Sequence, residues 1–496
     1  MNASEPSIGS SFDLLVVGGG VNGAGVARDA AGRGLSVLLL EKDDLASATS
    51  SWSSKLVHGG LRYLELYEFR LVAEALTERE VMLATARHLV WPARFIMPHV
   101  PELRPRWMIR AGLFLYDHLS RRTSLPGSTS VRLDGAPYDH GLQAKYVHGF
   151  IYSDCRVDDA RLVVCTAMSA RDEGATVVTR TECAAAARDA DGWKVTLRGP
   201  SGEREIHARG IVNAAGPWVK RVLNERLAQP SRDAVKLVKG SHIVVPKLYE
   251  GEHAFILQND DRRVVFMIPY EGAYTLVGTT DIAVDKEDAP VASDAEVEYL
   301  CRAVNRYLAK SVAPKDVVWR YSGVRPLYDD GTSDPSAITR DYTLRVDDES
   351  GRSPVLSVFG GKITTYRRLA EHVMDRLAPY YPGMKPAWTA GKALPGSDFG
   401  DGGRDAAREA FFASHPAVGR ETLRGIFRRH GSRATDVVGD GRLGEHYGAG
   451  LHEREVQYLV EREWARSADD VLWRRTKCGL HMTEAQRARV AAVLGR

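Results

Sequence analysis

Three glycines at fixed spacing, an acid about twenty residues further on, and a set of basic side chains beside glycine turns are the residues here whose types could do chemistry. Gly18-x-Gly20-x-x-Gly23 suits a diphosphate. Gly18 permits a tight turn, Gly20 leaves no Cβ between the backbone and a pyrophosphate, and Gly23 lets the following helix approach a sheet. Glu41 ends the next apolar run, where a carboxylate can accept hydrogen bonds from both hydroxyls of an adenosine ribose. An acid there, and not an arginine, disfavours a 2′-phosphate and leaves NAD or FAD. The basic set comprises Lys55, His58 and Arg62 with Tyr63 in SKLVHGGLRYLE, His242 in KGSHIVV, Arg325 in SGVRP, Arg340 in TRDY and Lys362 in GGKITTY. Taken singly, each cation also reads as a solvated or salt-bridged residue, and His242 equally as a satisfied core histidine. Three or four such cations held beside turns and apolar strands would suit a phosphate.

The elements that must position these groups are legible around them. Residues 12–17 and 35–40 are apolar runs flanking the glycines and a helical stretch, giving strand, turn, helix, strand and acid in the order of a dinucleotide-binding unit. A small-residue loop, LASATSSWSSKLVHGG, and a helical pattern over 61–89 come next. A nicotinamide domain would repeat its strand-helix units there, whereas a flavin needs a longer loop of small polar residues beneath it, so FAD is favoured. A helix over 157–173 leads into a meander of strands near 176–178, 183–187, 193–197 and 205–212, ending at Asn213-Ala214-Ala215-Gly216-Pro217-Trp218, where small residues let the backbone near a nucleotide. From 235 to 358 the short strands KLVKGSHIVV, HAFILQ, VVFMIPY, AYTLVGTT and PVLSVF, with a helix near 294–309, read as a second, largely antiparallel domain. Gly360-Gly361-Lys362-Ile363-Thr364-Thr365 opens a helix to about 377 whose start is a potential anion site. The linker LPGSDFGDGG precedes a helical C-terminal region, with segments at 404–413, 421–429 and 456–465.

Composition bounds the function classes. The chain has 496 residues, enough for two or three domains, and its net charge of +3 gives no strong field for nucleic acid. Five cysteines without a CxxC pair point to a reducing compartment and to no metal site. The leader MNASEPSIGSS lacks an apolar core, and no run is long enough to span a bilayer, so export and membrane spanning are not expected.

Long blocks carry a family resemblance: VVGGGVNGAGVARDAAGRG, SSKLVHGGLRYLE, YEFRLVAEALTERE, SLPGSTS, YSDCRVDDARLV, GSHIVVP, YSGVRPL, ITRDYTL and FGGKITTYRRLAE. Over residues 12–395 the chain resembles the bacterial aerobic, FAD-dependent glycerol-3-phosphate dehydrogenases. The resemblance implies an α/β architecture: an FAD-binding, Rossmann-like domain of glutathione-reductase type (about 12–100, 150–235 and 354–380), interleaved with an antiparallel-sheet substrate domain (about 101–149 and 236–353), then a helical domain over 396–496. It implies noncovalent FAD, oxidation of sn-glycerol 3-phosphate to dihydroxyacetone phosphate, and electrons passed to a membrane quinone.

On this resemblance Arg62, Tyr63, His242, Arg325, Arg340, Lys362 and Thr364 line the substrate pocket. The dinucleotide is expected against Gly18, Gly20, Val21, Asn22, Gly23, Glu41 and Lys42, against Thr49, Ser50, Ser51, Lys55, His58, Gly59 and Gly60 of the small-residue loop, and against Ala214, Ala215 and Gly216. Gly360, Gly361, Lys362, Ile363 and Thr364 complete that set. Loss of a hydride from C2 requires the C2 hydroxyl to lose its proton, for which His242 is the expected acceptor, with Arg325 orienting the oxygen. Arg62, Arg340 and Lys362 would hold the phosphate, or Lys362 would serve the flavin's N1–C2=O edge. The segment 103–122 alternates cations with Trp107, Ile109, Leu113, Phe114 and Tyr116, which suits either a core helix with a basic face or a helix in anionic headgroups; the resemblance favours peripheral attachment to the inner face of the cytoplasmic membrane. A homodimer is compatible with all of this. Two other readings stay in view, an amino or hydroxy acid oxidase on the same fold and a flavin-binding module without catalysis.

Overall fold

The computed structural model describes residues 8–495 apart from 121–123, 139, 231–232, 234, 262, 288–289 and 330–340. Two sheets carry the first four-fifths of the chain. In the first, Ser11–Val17 lies between Gly202–Asn213 and Val37–Leu40, all parallel, with Thr176–Val178 beyond one side and Arg352–Phe359 beyond the other. Leu14, Val16, Val37 and Leu39 point to one face, against helices Val21–Gly32, Asp159–Asp172 and Tyr366–Leu377. Leu15, Leu38 and Ile211 point to the other, where Glu182–Asp189 and Gly192–Gly199 extend the antiparallel start of Gly202–Asn213 and bring Trp193 over the sheet. A strand buried on both faces needs apolar residues at every position, which is why these runs do not alternate. Each such side chain contributes roughly 1.5–3 kcal/mol by leaving water.

Among the described residues the second sheet has ten strands and is antiparallel except where Ala254–Gln258 meets Val90–Pro98. Asp294–Asn305 covers one face, its start fixed by a capping box between Ser293 and Glu296. Phe69–Thr85 and Arg106–His118 pack on the other. The helical region is a separate core, built on Gly403–Ser414, Arg420–His430, Glu453–Arg462 and Glu484–Leu494.

Several expectations shift. PVLSVF is not part of the antiparallel domain: Arg352–Phe359 pairs in parallel with Gly202–Asn213. Val90–Pro98 and most of His148–Val157, expected in the nucleotide domain, pair with each other in the second sheet, because their hydrogen-bond partners lie far away in sequence. The helix expected over 61–89 is a short 3₁₀ turn, Leu61–Leu66, followed by Phe69–Thr85. The presumed linker is packed structure, with Leu394 and Phe399 buried and Ser397 bonded to the buried His88 at 2.7 Å. The C-terminal region also holds a small hairpin, His446–Gly448 with Leu451–His452. The first strand begins at Ser11, the last residue of the polar leader, most of which lies outside the described residues.

Candidate functional site

A continuous hollow runs along the C-terminal ends of the first sheet's strands and on beneath the second sheet. It has two lobes, of about 180 and about 320 Å³, which share Gly20, Thr49, Ser50, Ala214, Gly216 and Pro217. The smaller lobe holds the glycine turn and Glu41. Gly18 turns at φ +112°, and a Cβ on Gly23 would sit 1.9 Å from the Gly18 carbonyl oxygen, so strand and helix can meet here only through glycines. Glu41 accepts hydrogen bonds from Gly19 N (2.7 Å) and Asp43 N (2.8 Å), which aim its carboxylate at the lobe. Desolvation pushes the Glu41 carboxyl up to about 7, against the lowering effect of those two bonds. Lys42 lies 4.8 Å over the Trp218 ring at the same lobe.

Local geometry fits a dinucleotide. Helix Val21–Gly32 begins at Gly20 with no side-chain cap, leaving its first N–H groups for a ligand, apart from Val21 N, which donates to Ser50 Oγ. The buried Asn22 Oδ1 has no partner among the described residues, while Asn22 Nδ2 donates to Gly360 O. A Cβ on Gly216 would project into open space shared by both lobes.

Residues 13–367 match the family model described as FAD dependent oxidoreductase, and residues 387–495 match the C-terminal domain of alpha-glycerophosphate oxidase. The chain belongs to the FAD dependent oxidoreductase family. It is similar to the glycerol-3-phosphate dehydrogenase of Pseudomonas aeruginosa, 52% identical with 97% of this chain and 95% of the relative covered. It is equally similar to the D-erythritol 1-phosphate dehydrogenase of Brucella abortus, 52% identical with 96% of each covered. Its fold matches the glycerol-3-phosphate dehydrogenase from Bacillus halodurans solved in complex with FAD, at TM-score 0.74 and 26% identity over 98% of this chain and 94% of that one. The FAD-binding fold with its added antiparallel sheet is therefore that of FAD dependent oxidoreductases, the helical C-terminal domain matches that of alpha-glycerophosphate oxidase, and FAD is the cofactor.

At the larger lobe of this FAD dependent oxidoreductase the cations gather. Arg62, Tyr63, Arg325, Lys362 and Thr364 all face it. Arg62 is half-buried and has no ion-pair partner among the described residues, whereas Lys362 Nζ lies 3.8 Å over the Tyr63 ring. Arg325 donates to Asp281 Oδ1 (2.5 Å) and Thr279 Oγ1 (3.2 Å), both also on the wall. It lies across Gly240 on the neighbouring strand, where a Cβ would come 2.5 Å from its guanidinium. Val21, Asn22, Thr49, Ser50, His58, Gly60, Ala214, Gly216, Gly360, Gly361 and Ile363 border this lobe, and Ala215 the smaller one.

Other expected residues are elsewhere. His242 does not reach the wall: it is 1% exposed, Gly278 opposite it is glycine because a Cβ would meet the ring at 2.1 Å, and Tyr321 stacks on it at 4.8 Å. Its Nε2 bonds Ser54 Oγ at 2.9 Å, and Ser54 is the group on the wall. Burial, then Arg325 and Lys55, hold the His242 imidazole well below its usual range. Lys55 does not border the hollow: its ammonium donates to Asp159 (2.7 Å) and Ser51 O (2.6 Å) in the interior. Ser51 is buried with it, and Gly59 N is tied to Tyr116 Oη at 2.9 Å behind the wall. Arg340 lies outside the described residues. His58 does face the lobe; burial, then Lys362, keep it below 6.5 against the pull of Asp154. Ser54, Trp52, Thr279 and Asp281 were not anticipated, although Asp281 directly follows the strand-ending GTT, a signal of the kind that marked the basic set.

Proposed function

We propose that this chain oxidises sn-glycerol 3-phosphate to dihydroxyacetone phosphate and passes the electrons to a membrane quinone. FAD, when bound, supplies the acceptor, flavin N5, for the hydride leaving C2. The observation that carries this reading is Arg62, a cation with no counter-charge among the described residues, on the wall that also holds Lys362 and Arg325. Such a group needs an anion, and a phosphoester supplies one. Arg62 and Lys362 hold the phosphate. Arg325, kept rigid by Asp281 and Thr279, donates to the C2 oxygen and stabilises charge growing there. His58, not His242, takes the C2 hydroxyl proton, because it borders the lobe while His242 lies behind Ser54. His242 steadies Ser54 from behind.

Peripheral attachment to the cytoplasmic face of the membrane is supported by Arg106–His118. Ile109, Leu113 and Tyr116 turn inward, as in a core helix, but Trp107 and Phe114 are 70% and 61% exposed beside Arg106 and Arg110. No described helix is long and apolar enough to cross a membrane.

The deciding test is anaerobic. Glycerol 3-phosphate should bleach the flavin band, a soluble quinone analogue should restore it, and glycerol should do neither. Faster bleaching by D-erythritol 1-phosphate would reassign the substrate, and rapid recovery in air alone would favour an oxidase. In single turnovers, His58→Asn should slow flavin reduction far more than His242→Asn; the reverse order would return the proton to the buried histidine.

A further inference from the structure

One segment of the C-terminal domain, Asp470–Arg475, reaches the loops that form the adenosine end of the cofactor hollow. Arg475, fully buried, donates to both oxygens of Asp44 at 2.5 and 2.8 Å and braces itself on Glu463 O at 2.6 Å. Arg474 donates to the same carboxylate at 2.6 Å and pairs with Asp470. Asp470 in turn accepts two 2.8 Å bonds from Arg180. Arg180 N donates to Asp43 O, and Thr181 N to Glu41 O. Lys42, Asp43, Thr181 and Glu182 line the smaller lobe, so both walls around Glu41 end in this one cluster.

Asp44 has no exposure, so its charge is tolerable only with counter-charges fixed against it. Two of these come from a domain more than four hundred residues away in sequence. We infer that Arg474, Arg475 and Asp470 are positioning residues for FAD: by neutralising Asp44 and holding Arg180, the C-terminal domain sets the shape of the Glu41–Asp44 loop and thereby the affinity for the adenosine end. The inference rests on the FAD assignment and adds that the helical domain is part of the cofactor site. With Asp44 uncompensated, a second negative charge would also stand beside the Glu41 carboxylate that must meet the ribose.

The test is the rate of FAD release from diluted holoenzyme, read by the rise in flavin fluorescence. Arg475→Met should release FAD about tenfold faster or more, a loss of ~1.4 kcal/mol. Arg180→Met, at the partly exposed end of the cluster, gives a second measurement should Arg475→Met fail to fold, with release faster by about threefold. Arg428→Met is the control: it breaks another contact of the same domain, Arg428 with Glu271 at 2.7 Å, which does not involve these loops, and should release FAD at the parent rate. Parent-like release from Arg475→Met or Arg180→Met, or equal acceleration in Arg428→Met, would overturn the inference. A parent protein that never holds FAD would instead overturn the cofactor assignment.

Discussion

The two lobes of the hollow are built in opposite ways. The smaller lobe takes its glycine turn and acid from one stretch, Ser11 to Glu41, in which strand, glycine turn, helix and second strand follow without interruption. The larger lobe draws Ser54, His58, Arg62, Asp281, Arg325 and Lys362 from segments hundreds of residues apart. Backbone N–H groups and missing Cβ atoms do most of the work at the first, beside the Glu41 carboxylate. At the second, side chains do it, and each must be held by another residue: Arg325 by Asp281, Ser54 by His242, Lys362 over Tyr63. The first lobe should therefore fail through backbone changes that lose the cofactor, and the second through side-chain changes that lose catalysis while the cofactor stays.

The largest expected effect is at Gly23. Gly23→Ala places a methyl 1.9 Å from the Gly18 carbonyl oxygen, and the forced separation, costing roughly 1–3 kcal/mol or more, should yield protein with little or no flavin absorbance relative to protein absorbance. Next comes Arg325→Met, which should retain full flavin content yet lower kcat by about 10²–10³-fold. If it instead lost FAD, the division between the lobes would be wrong.

Glu41→Gln should sharpen the comparison by pH. The carboxyl titrates at about 7 before the cofactor binds, and ribose hydroxyls donate to its ionised form. Affinity for FAD should thus rise from pH 6 to pH 8 and fall as acid protonates the group, whereas Glu41→Gln should bind about tenfold more weakly at pH 8 with a flat profile. Titrating FAD release against pH would check both. Smallest is Ser54→Ala, which removes one hydrogen bond to His242 and should slow flavin reduction by about threefold with no change in flavin content.

Legibility followed the same division. The glycine motif and Glu41 could be read because their partners are near neighbours in sequence, and helix and strand periods show where each points. Lys55 stands in the same matching block as His58 and Arg62, yet its ammonium turns inward to Asp159, over one hundred residues away. His242 and Ser54 divide one task, but only the pairing of Gly278 and Tyr321 with His242 shows which of them faces the hollow. The segment read as a linker carries Leu394 and Ser397 into buried contacts that composition does not reveal.

By itself the sequence determined the dinucleotide turn, the succession of sheets and helices, and the basic residues available for an anion, because these depend on glycine's freedom, on the two periods of regular structure and on residue charge. Tertiary structure alone decided which cations pair with which carboxylates, which histidine borders the hollow, and that Arg475 anchors Asp44. Those outcomes depend on which carboxylate comes within a few ångströms in a medium of low dielectric constant, and that distance is set by packing between segments far apart along the chain.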